Sequence, residues 1–164
     1  MPESITRHLT AAIGAEPERA SVTFLGVEAI DVLRFADVPR RQVVFATVGC
    51  ARHPMHDPGD LAPDPERGPR AELLVRMRPD APLPGLHSAL ATVAAAPAVE
   101  GLILGDDSLI DLQEPLWGGA VCSAFLLSPD SGVDDLPLPE PADPVRFLSA
   151  VPITANEAAW VRLK

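Results

Sequence analysis

Strand-like and helix-like segments do not alternate along this chain of 164 residues. A helical pattern over residues 4–13 is followed by three strand patterns with no helix between them, and later helical patterns cover 86–96 and 155–163. A regular parallel sheet requires a crossover, usually helical, between successive strands, which this order does not provide. We therefore predict an α+β fold, in which a mixed and mostly antiparallel sheet packs against helices.

Six segments have the residue patterns of β-strands, either an alternation of apolar and polar residues or a short run rich in β-branched residues. They are Ser21–Leu25, Ile30–Phe35, Gln42–Val48, Arg70–Met77, Ala120–Leu127 and Val145–Val151. The last four are predicted to form the core of the sheet. Gln42–Val48 is almost continuously apolar, which is typical of a strand covered on both faces.

Helix-ending and helix-capping residues define the predicted ends of the helices. Gly14 closes the first helix and Pro97 ends the second. Thr154 and Glu157 have the spacing of a capping box at the start of the third. We find no internal repeat and no linker with an apolar core on each side, so residues 1–164 are predicted to form a single domain.

Charge is unevenly distributed along the chain, whose formal net charge is −10. The segment from Pro79 to Val145 contains eleven acidic residues and no Lys or Arg. Such a segment repels phosphate backbones and favours cationic partners, so a nucleic-acid partner is not expected. Two interpretations remain open, namely a solubilising surface and an acidic docking face for a basic protein.

Several other classes of protein are not expected from the sequence. The N-terminus, Met1–Ser4, lacks the basic start and apolar run of a secretory signal, and no apolar stretch approaches the roughly 20 residues that cross a bilayer. The protein is therefore expected to be cytoplasmic, without a membrane partner. The sequence contains no phosphate-binding loop, dinucleotide fingerprint or nucleophile elbow, so neither a cofactor nor a catalytic residue is predicted.

The densest set of potential metal ligands lies in the polar segment Gly49–Pro69, which is predicted to be a long loop. Cys50, His53, His56 and Asp57 offer donor atoms that zinc accepts, and the Cys with a His could also supply a nucleophile and a base. The spacing matches no standard zinc motif, so a metal site is not predicted. A small enzyme or metal-binding protein built on this loop remains the alternative to a binding protein.

Trp117 is the candidate centre of a binding surface, because Trp is enriched at interface hot spots. It lies on a turn rich in glycine and proline, after the acidic residues Asp106, Asp107, Asp111 and Glu114. These acids are expected to surround the Trp at the rim of an interface and to accelerate association with a basic partner. The alternative is that the Trp folds back over the edge of the core.

Three segments, in this order, resemble motifs of the suppressor of fused family. Arg70–Pro79 (RAELLVRMRP) resembles the family's Ala-Glu-Leu strand that ends at a proline, and Gly118–Pro129 (GGAVCSAFLLSP) resembles its small-residue turn and aliphatic strand. Val145–Glu157 (VRFLSAVPITANE) is similar to its closing strand, proline and helix start. The loop with Pro54 and Met55 sits where these domains have a comparable Pro-Met loop.

This resemblance extends over roughly Gln42 to Arg162. It implies a compact domain of helices and strands that binds another protein and has no catalytic residues. For a single-domain bacterial relative it further implies a role as an immunity protein that neutralises a toxin, or as an interaction module. The expected function is therefore non-catalytic protein binding, and the expected partner is a basic protein such as a toxin domain.

Overall fold

The computed structural model describes residues 1–78 and 81–163; Pro79 and Asp80, which begin the acidic segment, lie outside the described residues. Within these residues the chain forms one sheet of seven strands and three α-helices. The strands are β1 (Glu18–Phe24), β2 (Val27–Asp37), β3 (Gln42–Val48), β4 (Arg70–Met77), β5 (Leu109–Asp111), β6 (Cys122–Ser128) and β7 (Val145–Thr154). The helices are α1 (Pro2–Ile13), α2 (Leu86–Glu100) and α3 (Ala155–Arg162), and a 3₁₀ turn covers Cys50–Arg52.

The strands follow the order β1-β2-β3-β4-β7-β6-β5 across the sheet. Every neighbouring pair is antiparallel except β4 and β7, which run parallel. The predicted mixed and mostly antiparallel sheet is therefore confirmed. The four strands predicted to form its core are the central ones, β3, β4, β7 and β6.

Helices cover both faces of the sheet and produce two main buried clusters. α2 contributes Leu90 to a cluster that also contains Leu73 and Phe125. α1 contributes Leu9 to a second cluster that also contains Phe35. A smaller cluster lies beneath α3. None of the helices in the described part of the chain is long and apolar enough to span a membrane.

Two predicted boundaries are wrong because a proline does not end the element. Pro97 lies inside α2, where it has no N–H to bond to the carbonyl four residues earlier, but the helix continues for one more turn and ends at Gly101 with a φ of 72°. In β7, Pro152 pairs with β6 and the strand continues to Thr154. This part of β7 pairs only with β6, and a proline is tolerated where one side of a strand has no partner.

The remaining predictions identify the elements but not all of their ends. β1 and β2 begin earlier than predicted, and β6 begins at Cys122 instead of Ala120. β5 was not predicted, because three residues are too few to display an alternating pattern. Thr154 and Glu157 form the predicted capping box, and Gly14 ends α1 as predicted.

The end of α2 contacts the long loop between β3 and β4. A Cβ atom added to Gly101 would lie 2.5 Å from Cγ of Pro58, far inside the normal contact distance. Gly14 ends α1 with a similar φ of 80°, but nothing lies within 4 Å of a Cβ atom added there. Alanine substitutions at the two glycines therefore distinguish the loss of stability caused by a left-handed backbone from the additional loss caused by displacing the loop.

We expect Gly101→Ala to destabilise the protein more than Gly14→Ala. Both variants carry the cost of a left-handed alanine, about 1 kcal/mol, and Gly101→Ala must also displace Pro58, which adds about 1 kcal/mol or more. Urea unfolding followed by circular dichroism measures the difference. Equal losses of stability would show that the loop does not pack against α2 in solution.

Candidate functional site

A buried carboxylate holds the turn that follows β3. Oε1 of Glu72 accepts hydrogen bonds from Oγ1 of Thr47 (2.8 Å) and the amide of Cys50 (3.2 Å). Its Oε2 accepts from the amides of Gly49 (2.9 Å) and Ala51 (3.0 Å). The side chain of Glu72 is fully buried. Three consecutive N–H groups therefore converge on one carboxylate, which fixes the path of the chain into the long loop.

Arg70, two residues earlier on β4, holds the carbonyl groups of the same region. Its Nη1 donates to the carbonyls of Ala51 (2.9 Å) and Arg52 (3.0 Å), and its Nη2 donates to that of Glu66 (3.1 Å). Arg70 is buried, and its Nε has no hydrogen-bond partner among the described residues. The carboxylate of Glu72 and the guanidinium of Arg70 thus satisfy complementary backbone groups of one turn.

Neither Glu72 nor Arg70 was identified as a site residue from the sequence, where they formed only part of the Ala-Glu-Leu resemblance. A signal was nevertheless present. Both are ionisable residues in a strand whose first six residues are all buried. Because charged side chains are rarely buried without specific partners, such a position indicates a dedicated hydrogen-bonding role.

Burial also determines the chemistry of this turn. It raises the pKa of Glu72 from 4.5 to about 7, and the four hydrogen bonds oppose that rise. Burial, together with the charge of Glu72, raises the pKa of the Cys50 thiol well above its ordinary value. A protonated thiol is a poor nucleophile. Burial of Cys50 therefore opposes the activated nucleophile that the enzyme interpretation requires.

The structure does not bring the candidate metal ligands of this loop together. Cys50 is buried beside α2, whereas His53, His56 and Asp57 are exposed. Nε2 of His53 lies 2.8 Å from Oε1 of Glu28. In the described part of the chain, no group of three or more His, Cys, Asp or Glu side chains is arranged to hold a metal ion.

The long loop forms one wall of a cleft of about 700 Å³ against α2. The apolar side chains of Ile30 and Met55 contribute to its lining. At its rim, Glu28 lies 3.5 Å from Nε of Arg52 and 2.8 Å from Nε2 of His53. Since the Glu28 carboxylate is close to both basic groups, the rim has little uncompensated charge, and the cleft offers mainly shape and apolar contact.

A second candidate site, here called the α2 groove, runs along one side of α2. Two cavities of about 300 and 430 Å³ both include Thr92 and Leu112 in their walls, so together they form one groove between α2 and the segment around β5. Trp117 lines one end of this groove and packs half-buried against the main core. The ring therefore covers the edge of the core and also borders the groove, while its role at a binding surface stays a prediction.

The acidic residues predicted around Trp117 are divided between the two ends of β6. Backbone hydrogen bonds place Leu116 beside Cys122, at the start of β6, and Asp107 beside Leu127, near its end. Five residues of extended strand span about 17 Å. Asp107 therefore lies well away from Trp117, and a partner that contacts both must cover most of the β5–β6 edge of the sheet.

Two arginines from outside the acidic segment neutralise two of these acids. Asp106 lies 2.7 Å from Nη2 of Arg146, and Asp111 lies 2.6 Å from Nη2 of Arg162. The hydrogen bond from Arg162, together with one from the backbone of a neighbouring residue, lowers the pKa of Asp111. The predicted acids that have no cation within 4 Å among the described residues are Asp107 and Glu114.

Comparison with known proteins gives one match to a family model. The model described as Suppressor of fused protein matches residues 26–164, which include every strand except β1. No curated protein matches the chain. The matched range contains both the buried turn held by Glu72 and the α2 groove, so both candidate sites belong to the part of the chain that the family model describes.

Solved structures share the fold at low sequence identity. A suppressor of fused homologue from Neisseria gonorrhoeae is 15% identical, with a TM-score of 0.66 over 99% of this chain and 82% of that one. The structure of a Sufu–Fu complex is 16% identical, with a TM-score of 0.66 over 98% of this chain and 78% of that one. Drosophila Suppressor of Fused is 16% identical, with a TM-score of 0.63 over 96% of this chain, which spans 42% of its length. These similarities confirm the fold implied by the sequence resemblance.

We expect the free energy of unfolding to fall as the pH rises from about 4.5 to about 7, because of Glu72. Its ordinary pKa is 4.5 and its pKa in the fold is about 7, so in this window the folded state holds a proton that the unfolded state has released. This contribution to the free energy of unfolding is fully present below pH 4.5 and is lost as the pH rises through about 7. It amounts to about 3 kcal/mol. Urea unfolding across this pH range measures it.

Two variants test the assignment to Glu72. Glu72→Gln should abolish this component of the pH dependence and lower stability throughout, because the amide NH₂ would face N–H donors. Thr47→Val removes one donor but keeps the carboxyl group, so the pH dependence should remain. Unchanged pH dependence in Glu72→Gln would contradict the assignment, as would constant stability of the wild-type protein across the window.

Protein purified without added zinc is expected to contain no stoichiometric metal, because the candidate ligands lie apart. Inductively coupled plasma mass spectrometry of the wild-type protein and of a variant with His53→Ala and His56→Ala measures this. His87→Ala serves as the control, since His87 lies on α2. One equivalent of metal in the wild-type protein, lost only in the double variant, would instead support a metal-binding protein.

Proposed function

Because the chain belongs to the suppressor of fused family, we propose that residues 1–164 form one protein-binding domain without catalytic activity. A relative with the same fold has been solved as a Sufu–Fu complex, which supports binding to a protein. The raised pKa of the buried Cys50 thiol supports the absence of thiol chemistry in the long loop.

We place the binding surface on the α2 groove, anchored by Trp117, and extend it along the β5–β6 edge of the sheet to Asp106, Asp107, Asp111 and Glu114. The observation that carries this proposal is the position of the Trp ring, which is held against the core and borders the groove. A side chain that is already ordered loses little conformational entropy on binding. An interface of ordinary size, about 800 Å² on each partner, is wide enough to include both ends of β6.

The proposed partner is a basic protein, such as a toxin domain that this protein neutralises. Asp107 and Glu114 support this choice, because both are exposed and have no cation within 4 Å among the described residues. Such charges steer a basic partner and accelerate its association. Asp106 and Asp111 should contribute less, since each already pairs with an arginine. The role as an immunity protein rests on the resemblance to single-domain bacterial relatives.

Trp117→Ala is expected to weaken binding by about 2 kcal/mol or more, as for an aromatic hot spot. The partner is first captured by pull-down from the native cell and identified by mass spectrometry, and surface plasmon resonance then measures the affinity. Trp160→Ala is the matched control, because Trp160 lies on α3, is 70% exposed and lines neither cavity of the α2 groove. Equal effects of the two substitutions would remove Trp117 from the binding surface.

Charge reversal in the same assay tests the electrostatic part of this prediction. Asp107→Lys and Glu114→Lys should slow association and reduce its dependence on salt, while dissociation changes little. Asp60→Lys makes the same change of charge on the long loop and should have a smaller effect. An acidic partner, or an unchanged association rate, would contradict the docking mechanism and leave the family membership intact.

A further inference from the structure

A cavity of about 330 Å³ lies on the α1 side of the sheet and is separate from the α2 groove. The end of α1, the β2–β3 turn, the start of β3, the end of β4 and the turn after β6 surround it. Its lining includes Ile13, Arg40, Gln42, Arg76 and Ser131. Two arginines therefore line one small cavity, here called the Arg40–Arg76 pocket, although they are 36 positions apart in the sequence.

Arg76 carries its charge into this pocket without an acidic partner. Its Nε and Nη2 both donate to the carbonyl of Ser131, at 3.2 and 2.8 Å. Among the described residues, no carboxylate oxygen lies within 4 Å of its guanidinium nitrogens. Burial lowers the pKa of Arg76, Asp37 opposes this effect, and repulsion from Arg40 adds to it. The neutral carbonyl thus holds the guanidinium in place without forming an ion pair, and only the more distant carboxylate of Asp37 offsets part of its charge.

The buried carboxylate nearest this pair of arginines is already engaged. Oδ2 of Asp37 accepts from Nη1 of Arg40 (3.2 Å) and from Nε2 of Gln42 (3.1 Å). Asp130 also lines the pocket, but it is exposed and forms no ion pair with either arginine within 4 Å. Asp37 is therefore the buried carboxylate near both guanidinium groups, but it forms a hydrogen bond only with that of Arg40.

We infer that the Arg40–Arg76 pocket binds a small oxyanion, of the carboxylate or phosphate class, between its two guanidinium groups. A planar guanidinium donates parallel hydrogen bonds to two oxygens of such a group, and its charge strengthens them. Gln42, whose side-chain amide donates to Asp37, lines the same wall. This site is independent of the proposed function, because it shares no lining residue with the α2 groove.

Titration of the ¹⁵N-labelled protein with inorganic phosphate and, separately, with acetate tests this inference, with chloride exchanged to keep the ionic strength constant. We expect saturable shifts of the amide signals of Gln42, Ser131 and Gly132. Arg76→Gln and Arg40→Gln should each weaken binding about tenfold, as for the loss of charged hydrogen bonds. Asp130→Asn should strengthen binding several-fold, because it removes a negative charge that repels the oxyanion.

Arg41→Gln is the matched control, because Arg41 adjoins Arg40 in the same turn but does not line the pocket. Its affinity for phosphate should equal that of the wild-type protein. If Arg76→Gln does not fold, Arg40→Gln and Asp130→Asn still decide the question. Saturation by both ions supports a site for oxyanions of both classes, and saturation by phosphate alone supports a site for phosphate groups. Shifts that do not saturate, or equal affinities of wild type and Arg40→Gln, would overturn the inference.

Discussion

The carboxylate of Glu72 has no access to water, so all of its hydrogen bonds must come from the protein. Three of its donors are consecutive backbone N–H groups, which obliges the chain to turn directly after β3. That turn sends the long loop back towards α2, where Met55 enters the core and Pro58 contacts Gly101. The path of the chain into the wall of the cleft therefore depends on Glu72, and Arg70 binds the carbonyl groups of the same turn.

Ion pairs between distant parts of the chain set the charge that the proposed binding surface presents. Arg146 on β7 and Arg162 on α3 each pair with an acid of the acidic segment, at Asp106 and Asp111. Exposed pairs of this kind contribute little to stability, but they reduce the net charge available to a partner. The surface along α2 therefore has less free negative charge than the composition suggests, and the shape of the α2 groove becomes correspondingly important for recognition.

Local sequence patterns predicted the elements that local interactions determine. The alternating and continuous apolar patterns gave both ends of β3 and β4, and the capping box gave the start of α3. β5 and the last turn of α2 beyond Pro97 depend on packing against neighbours, which a local pattern does not contain. The same holds for the site, because the acids and arginines that pair are 40 and 51 positions apart. No spacing rule connects such residues.

The parallel pairing of β4 with β7 divides the sheet into two parts that differ in how readily they can form. β1 to β4 are successive antiparallel neighbours, so each new strand can add to the one before it. Pairing Arg70 with Val145, by contrast, closes a loop that contains α2, β5 and β6. Closing a loop of that length costs chain entropy before its contacts stabilise it. We therefore expect the centre of the sheet to assemble after its β1–β4 half, with the rate of folding limited by this central pair.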